Sequence, residues 1–283
     1  MGRCRMNKLR INKLTMIIFY IVLTVIAIIQ VYPFFWVITS SFKTAEQLAS
    51  TPAYSLPQQL FMGNYERAMQ SNLPRYFLNS IVVAVCVLAA LVIISAPVAF
   101  ALSKLRFRQS EKVMSFFLFG MMIPVFSCLI PMFRVYNALG IRNTYWALII
   151  PQVGFGLPMC IYLYKNFMER IPNSLVEAAE IDGASPWYVF TKIIFPMSKN
   201  VTVTIITFNF IYIWNEFVYA NTFMTKNIMK TLPIGLNDFI GEMGMVDWGS
   251  TFAAITLTII PTLIVYFILN RQVIDGMTSG AVK

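Results

Sequence analysis

The sequence predicts an all-α, polytopic membrane protein with six transmembrane helices, and three observations lead to this fold class. The 283-residue chain is 58% hydrophobic and 12% charged, with a mean hydropathy of +0.68, whereas a soluble domain is about one quarter charged. Its apolar residues form six runs, each near the ~20 residues that a bilayer core requires. Counted together, the segments predicted on one side of the membrane hold more Lys and Arg than those predicted on the other, as expected for a protein that crosses the bilayer several times.

The first apolar run follows the basic segment 1–13, which holds five Lys and Arg. This run is about twice as long as a signal-peptide core and has no small-residue cleavage site, so we expect a retained signal-anchor span. Residues 14–283 are then a single transmembrane domain. Its predicted spans are Leu14–Ile38, Phe77–Leu102, Val113–Phe133, Tyr145–Tyr164, Val201–Met224 and Phe252–Leu269. Prolines within the spans predict kinks, and these are Pro33, Pro97, Pro124, Pro131, Pro151, Pro158 and Pro261.

The loops assign the two sides of the membrane. If the N-terminus is cytoplasmic, the inner segments hold 15 Lys and Arg and the outer segments hold 7. This excess follows the positive-inside rule, so both termini are predicted to be cytoplasmic. The basic inner loop 104–112 is interpreted as a stop-transfer cluster that faces phospholipid. The inner segments are 1–13, 103–112, 165–200 and 270–283. The outer segments are 39–76, 134–144 and 225–251.

Composition also excludes several classes of function. A net charge of +10 would be consistent with a nucleic-acid partner. The basic residues lie beside spans rather than on a polar face, so we expect no nucleic-acid partner. The chain has no histidine and its four cysteines lack metal-ligand spacing, so we expect it to bind no metal or cofactor. The sequence contains no phosphate-binding loop, so the chain is not predicted to be an enzyme that hydrolyses ATP.

Balanced charge and helix-terminating residues distinguish the inner segment Ile171–Ser198 from the apolar remainder of the chain. Ser174, followed three residues later by Glu177, predicts a capping box at the start of a short helix. That helix is expected over Leu175–Asp182. Gly183 then stands where a helix ends, because glycine takes the left-handed conformation without strain.

A second short helix is predicted after this bend. Ser185 is placed to cap it, and Pro186 stands at its first position, where a missing N–H costs nothing. Phe195-Pro196 is expected to end it. The segment is therefore predicted to form two helices of about 12 Å each with a tight bend between them.

The same segment contains the spaced pattern EAA-x3-G-x9-I-x-F-P, formed by Glu177, Ala178, Ala179, Gly183, Ile193, Phe195 and Pro196. The pattern resembles the EAA loop of ABC importer permeases, in which Leu stands at the position of Phe195. The resemblance implies a type I ABC importer permease fold and a coupling helix pair that sits in a cleft of an ATPase subunit. We call residues 171–198 the coupling segment. The residues implied in ATPase coupling are Glu177, Ala178, Ala179, Asp182, Gly183, Ile193 and Pro196. On local physics alone, Glu177 could equally be a helix cap and the loop a plain connector.

Polar residues in the fifth predicted span are the candidates for a substrate pathway. Four of them fall at steps of three, four and three residues and so share one helical face. An ionisable group inside a span is costly and usually faces a polar cavity or a partner. Aromatic rings beside hydrogen-bonding groups suit sugars, which stack their C–H faces and bond through their hydroxyls. The candidates are Asn209, Tyr212, Trp214, Asn215, Glu216 and Tyr219.

A second interpretation of these residues stays open. Tyr219 and Trp214 could belong to the aromatic belt at the membrane interface, and Glu216 could form a salt bridge with a companion subunit. The run Trp214-Asn215-Glu216-Phe217 also resembles the W-N-E-F run of sugar-importer permeases.

Three further stretches resemble the carbohydrate-uptake type of these permeases, the maltose-type second permease family of binding-protein-dependent transport inner-membrane components. They are Asn64-Tyr65 with Leu78-Asn79-Ser80, Thr231–Leu236, and Met277–Lys283. Ordinary connectors and a solvated tail are the alternative interpretation of these stretches.

The resemblance implies a transmembrane subunit that imports a carbohydrate across the bilayer of a bacterial cytoplasmic membrane. The implied partners are a second homologous permease in a heterodimer, an extracytoplasmic solute-binding protein, and two ABC ATPase subunits that bind ATP and Mg. A polyol or a glycerol phosphate is an alternative substrate. An ion-coupled secondary transporter is a less favoured class, since internal repeats are not evident.

Overall fold

The computed structural model of the protein describes residues 13–105, 107–239 and 246–281. The predicted basic segment 1–13 lies outside these ranges except for Lys13, as does the end of the tail at 282–283. The described ranges consist of helices and their connections, which confirms the all-helical prediction. The helices are α1 Lys13–Ser40, α2 Ala45–Ser50, α3 Gly63–Gln70, α4 Leu73–Lys104, α5 Ser110–Gly120, α6 Val125–Ala138, α7 Trp146–Met168, α8 Asn173–Ile181, α9 Pro186–Val189, α10 Phe195–Met197, α11 Lys199–Trp214, α12 Val218–Phe223, α13 Leu232–Gly235 and α14 Trp248–Ala281.

Four helices are each long and apolar enough to cross a bilayer, namely α1, α4, α7 and residues Trp248–Leu269 of α14. Two bent pairs raise the possible number of spans in the described ranges to six. In one pair α5 and α6 meet at 86°, and in the other Pro186–Met197 meets α11 at 71°. The first, second, fourth and sixth predicted spans are therefore continuous helices. The third predicted span is interrupted between α5 and α6, and the fifth between α11 and α12.

The interruption of the third span corrects the continuous helix predicted over Val113–Phe133. Helix α5 ends at Gly120, and α6 begins only at Val125. Pro124 lies between them in an extended conformation, with φ −68° and ψ 126°. Proline disfavours helical geometry in the residue before it and offers no N–H to the preceding turn. The chain therefore turns sharply here rather than kinking within one helix.

The main core lies where α4 packs along α7. Small side chains of α4, including Ala84, Ala96 and Ala99, are buried there against Ile161 and Tyr164 of α7 and their neighbours. Lipid tails are as apolar as leucine, so membrane helices associate through close packing, which small residues permit. The α4–α7 contact accordingly forms the centre around which the other helices are arranged.

Helix α1 lies at the edge of this bundle. It packs against α14, and none of the residues in its most apolar window is buried. Its side chains from Leu14 to Phe35 are exposed all round. A helix that is apolar on every side needs lipid or another helix around it.

On the predicted outer side, the first outer segment is fastened around Asn64. The Asn64 amide is fully buried and donates to the carbonyl oxygens of Ser41 and Lys43, both at 2.8 Å. A Cβ at Gly249 would lie 2.4 Å from the Asn64 Oδ1. The start of α14 therefore approaches this turn as closely as glycine permits.

Asp247 joins the same cluster to α14. Its carboxylate accepts hydrogen bonds from the Arg67 Nε at 3.0 Å and from the Ser250 backbone N–H at 3.1 Å, so it caps the helix. Burial alone would raise the pKa of the Asp247 carboxyl, but the hydrogen bonds from Arg67 and Ser250 outweigh burial and hold that pKa below its usual range. The fold therefore favours the ionised form of Asp247.

We expect Asp247→Ala to lower the free energy of unfolding by about 1 kcal/mol at pH 7, because the first turn of α14 loses its cap. A depressed pKa makes this contribution complete above the unfolded value of about 3.9 and removes it as the pH falls through the folded value. Melting temperatures of the detergent-solubilised wild type and variant should therefore converge below about pH 4.

Glu46→Ala is the control, because Glu46 is an exposed acid in the same outer segment. Glu46→Ala should leave the melting temperature nearly unchanged both at pH 7 and below about pH 4. A difference between the wild type and Asp247→Ala that stays constant with pH would contradict the role of the ionised carboxylate.

Candidate functional site

The coupling segment folds as two short helices with a bend at Gly183. Helix α8 ends at Ile181, and Gly183 takes φ +78°. Its backbone bends back through a hydrogen bond from the Ala184 N–H to the Ala179 carbonyl at 2.9 Å. Ser185 then accepts from the Tyr188 N–H and Pro186 is the first residue of α9. The predicted bend and the predicted second cap are both confirmed.

The predicted capping box at Ser174 and Glu177 is wrong. Helix α8 begins at Asn173, directly after Pro172, so Ser174 already lies inside the first turn and cannot cap it. Pro172 sets the entry in an extended conformation, with ψ 134°, and as the N-cap residue it makes no side-chain capping bond. Proline's fixed φ thus determines where this helix starts, in place of the predicted serine.

The second helix also continues past the predicted stop at Phe195-Pro196. After α9 the chain forms a π-helical turn over Phe190–Ile194 and then α10, and it bends only at Ser198. Pro196 lies in the first turn of α10, a position where a helix tolerates proline. The π turn is wider than an α-helical turn and alters the backbone hydrogen bonds immediately before Pro196.

The residues predicted for ATPase coupling divide between two faces of this segment. Five are exposed: Glu177, Ala178, Asp182, Gly183 and Pro196. Ala179 is buried in the main core and Ile193 packs against that core. One face of the segment is therefore continuous with the core of the membrane helices, while the other is exposed.

The exposed face is strongly apolar at the bend. Ile181 is 87% exposed, Trp187 66% and Tyr188 54%. A hollow of about 550 Å³ lies beside them, lined by Asp182, Tyr188 and their neighbours. Large apolar side chains exposed together mark an interaction surface. The sequence placed them on either side of Gly183, but our prediction did not single them out.

Three residues interrupt the fifth predicted span, which was expected to be one helix over Val201–Met224. Helix α11 ends at Trp214 and α12 begins at Val218. The Glu216 carboxylate accepts from the backbone N–H groups of Tyr219 at 2.6 Å and Ala220 at 3.1 Å. Glu216 therefore caps α12, and the single helical face predicted through this span is wrong.

A cavity of about 910 Å³ lies between the α5–α6 turn, α7 and α11. Three of the predicted pathway residues, Asn209, Tyr212 and Tyr219, line it. The other three do not. Trp214 is buried in a separate outer cluster and donates to the Thr258 carbonyl at 3.1 Å, while Asn215 is exposed and donates to its own helix.

The cavity wall also contains Gln152, which the sequence reasoning missed. Gln152 is 5% exposed, and its amide nitrogen donates to the Leu148 carbonyl at 3.0 Å. Its Oε1 and the Tyr219 hydroxyl have no hydrogen-bond partner among the described residues. Buried polar atoms normally have partners, so these two buried atoms next to the cavity are unsatisfied within the described part of the chain.

Residues 91–279 match the family described as binding-protein-dependent transport system inner membrane component. The chain is 35% identical to a putative ABC transporter permease protein of Caldicellulosiruptor sp., over 94% of this chain and 96% of that protein. It is 34% identical to the trehalose/maltose transport system permease protein of Thermococcus litoralis, over 91% and 93%. The fold resembles that of a chain in the crystal structure of a bacterial ABC transporter involved in the import of the acidic polysaccharide alginate. That likeness has a TM-score of 0.83 at 24% identity and covers 93% of this chain and 97% of the other.

Gly183→Ala should loosen the bend of the coupling segment by about 1 kcal/mol, because an L residue in the left-handed region is strained. A Cβ at Gly183 would meet nothing within 4 Å, so the cost comes from the backbone alone. Amide hydrogen exchange over residues 184–189 in the detergent-solubilised protein should quicken about fivefold.

Gly154→Ala is the matched control, since a Cβ there also meets nothing within 4 Å but the backbone has no positive φ. It should leave exchange in the coupling segment unchanged. Equal exchange in wild type and Gly183→Ala would show that the bend does not depend on the left-handed glycine.

Proposed function

The chain belongs to the family of binding-protein-dependent transport system inner membrane components, and on this premise we propose that it is the transmembrane subunit of an ATP-driven importer that brings a carbohydrate into the cytoplasm. Its place is the bacterial cytoplasmic membrane, with both termini on the inner side. The excess of Lys and Arg in the inner segments supports this orientation.

The proposed assembly contains a second homologous permease, two ABC ATPase subunits and an extracytoplasmic solute-binding protein. ATP and Mg are bound by the ATPase subunits, and this chain binds no cofactor. The unpartnered apolar surface of α1 supports a permease heterodimer, because a companion helix would cover a face that α14 leaves exposed.

The observation that carries the proposal is the two-faced coupling segment. Its exposed face presents Ile181, Trp187 and Tyr188, which suits insertion into a cleft of an ATPase. Its buried face includes Ala179 and Ile194 within the main core. A force applied to the exposed face would therefore reach the spans through packed side chains rather than through a loose loop.

The mechanism is a shift between inward-facing and outward-facing states. ATP closes the ATPase dimer, the coupling segment moves with it as a rigid body, and the spans rock around the cavity. Reversing a 1:99 population to 99:1 requires about 5.5 kcal/mol of differential binding. The coupling segment has to transmit this free-energy difference from the ATPase subunits to the spans.

A carbohydrate suits the 910 Å³ cavity, which is within the range of small-ligand sites. The wall combines the aromatic rings of Tyr212 and Tyr219 with the amides of Asn209 and Gln152. The relative named for trehalose/maltose transport also favours this substrate class. Substrate contact is proposed for these lining residues. Trp214, Asn215 and Glu216 instead shape the interruption beside the cavity.

Copurification tests the proposed assembly. A tagged chain expressed with the products of its neighbouring genes should recover an ATPase in stoichiometric amount, together with a second permease. Reconstituted in vesicles, this complex should import a labelled sugar when given ATP and the binding protein. Uptake that is driven by an ion gradient without any ATPase would favour a secondary transporter instead.

Ala178→Trp should abolish this uptake while leaving membrane insertion intact. Ala178 is exposed on α8, so a bulky side chain would not disturb the core but would obstruct the fit to the ATPase. Gln109→Trp, at an exposed position of another inner loop, is the control and should import normally. Wild-type uptake by Ala178→Trp would refute the role of the coupling segment.

Asn209→Leu should lower the apparent affinity for substrate about tenfold, the effect of losing one hydrogen bond to a ligand. The comparison is Asn215→Leu, the same change in an exposed residue six positions along, outside the cavity. Uptake should be measured with sugars, polyols and glycerol phosphates as competitors. If both variants impair uptake equally, the cavity is not the substrate pathway.

A further inference from the structure

A buried cation lies where α4 meets the coupling segment. Lys104 is the last residue of α4 and is 9% exposed. Its Nζ donates to the Ile171 carbonyl at 2.5 Å and to the Asn173 Oδ1 at 2.9 Å. A buried ammonium is costly unless hydrogen bonds satisfy it. These two acceptors give Lys104 a defined position, which differs from the lipid-facing one predicted for the basic inner loop.

Both acceptors belong to the entry of the coupling segment. Asn173 is the first residue of α8, and Ile171 is a buried residue just before it. The Ile171 carbonyl accepts the Lys104 ammonium directly, so this contact ties the backbone at the entry of α8 to α4. Lys104 therefore fixes the start of α8 to the inner end of α4.

A second contact joins α4 to the far half of the coupling segment. The rings of Phe100 and Phe190 lie 5.4 Å apart and both are buried. Phe190 begins the π turn. Helix α4 thus holds the segment at two points, one polar and one aromatic.

The outer end of the same helix is fastened to residues 227–239, which we call the outer turn. The fully buried Asn79 donates to the carbonyls of Ile228 at 3.0 Å and Lys230 at 2.7 Å. Ser80 accepts from the Leu232 N–H at 2.9 Å. From Ser80 to Lys104 the helix rises about 36 Å at 1.5 Å per residue. One continuous helix therefore connects the predicted outer face with the coupling segment.

We propose that Lys104 is the positioning residue that makes the coupling segment move with α4, so that a binding protein acting on the outer side, as in the proposed function, controls ATP hydrolysis on the inner side. This inference rests on the proposed function. In the proposed function, Lys104 contacts neither substrate nor nucleotide. It acts by keeping the start of α8 at a fixed position relative to α4.

The test uses the purified complex in vesicles and measures ATP hydrolysis with and without substrate-loaded binding protein. In Lys104→Met the ATPase should copurify in wild-type amount and basal hydrolysis should persist. Stimulation by the binding protein should fall tenfold or more, as expected for a lost hydrogen bond to a charged group. Lys104→Arg retains donors for both acceptors and should recover at least half of the stimulation.

Lys112→Met is the matched control. It removes the same charge from the same inner loop, but Lys112 is exposed. The binding protein should stimulate ATP hydrolysis by Lys112→Met as strongly as by the wild type. This result would show that the loss in Lys104→Met comes from the position of that side chain and not from removing a positive charge on the inner side. Equal losses in Lys104→Met and Lys112→Met, or wild-type stimulation in Lys104→Met, would overturn the inference.

Asn173→Ala keeps the test decisive if Lys104→Met does not insert. It removes one acceptor without changing the charge, and stimulation should fall at least threefold with insertion intact. Normal stimulation in Asn173→Ala would also overturn the inference. A wild-type chain that recovers no ATPase would refute the proposed function itself. If the binding protein stimulates ATP hydrolysis equally in the wild-type complex and in Lys104→Met, only the role of Lys104 is refuted.

Discussion

The close contact between α4 and α7 is the constraint on which the rest of the structure depends. Lipid offers no hydrophobic drive for helices to associate, so the contact relies on packed surfaces with small residues such as Ala96 and Ala99. The buried side of the coupling segment, including Val189 and Ile194, belongs to the same cluster. The bent inner segment is therefore an extension of the membrane core and shares its rigidity.

Hydropathy predicted the continuous spans well, because a bilayer imposes a length that can be counted along the chain. It could not detect the two interrupted spans, since an apolar run has the same composition whether its backbone is helical or turned. Pro124 was a local sign of the first interruption, although we expected it to kink one helix. The second coincides with Glu216 bonding to the backbone of the first turn of α12, a local contact that we did not predict because we interpreted the apolar run as one helix.

Within the site, the features that the sequence predicted are those fixed by adjacent backbone. Gly183 and Ser185 behave as expected because a left-handed turn and a serine cap involve neighbours within three residues. Lys104 and Gln152 escaped prediction because their partners or surroundings are set by other helices. Ser174 was misassigned since a neighbouring proline had the stronger local effect, which a pattern match to a capping box ignores.

The two interrupted spans and the cavity explain one another. Non-helical backbone at membrane depth is tolerated where it is buried in protein or lines a cavity, because its polar groups cannot face lipid. The first interruption contributes Met121 and Ile123 to the cavity wall, and Tyr212 and Tyr219 flank the second. Chain breaks that were absent from the predicted topology thus converge on one space from two sides. A plain bundle would gain nothing from such breaks, whereas a permease needs helices that stop and restart around its cargo.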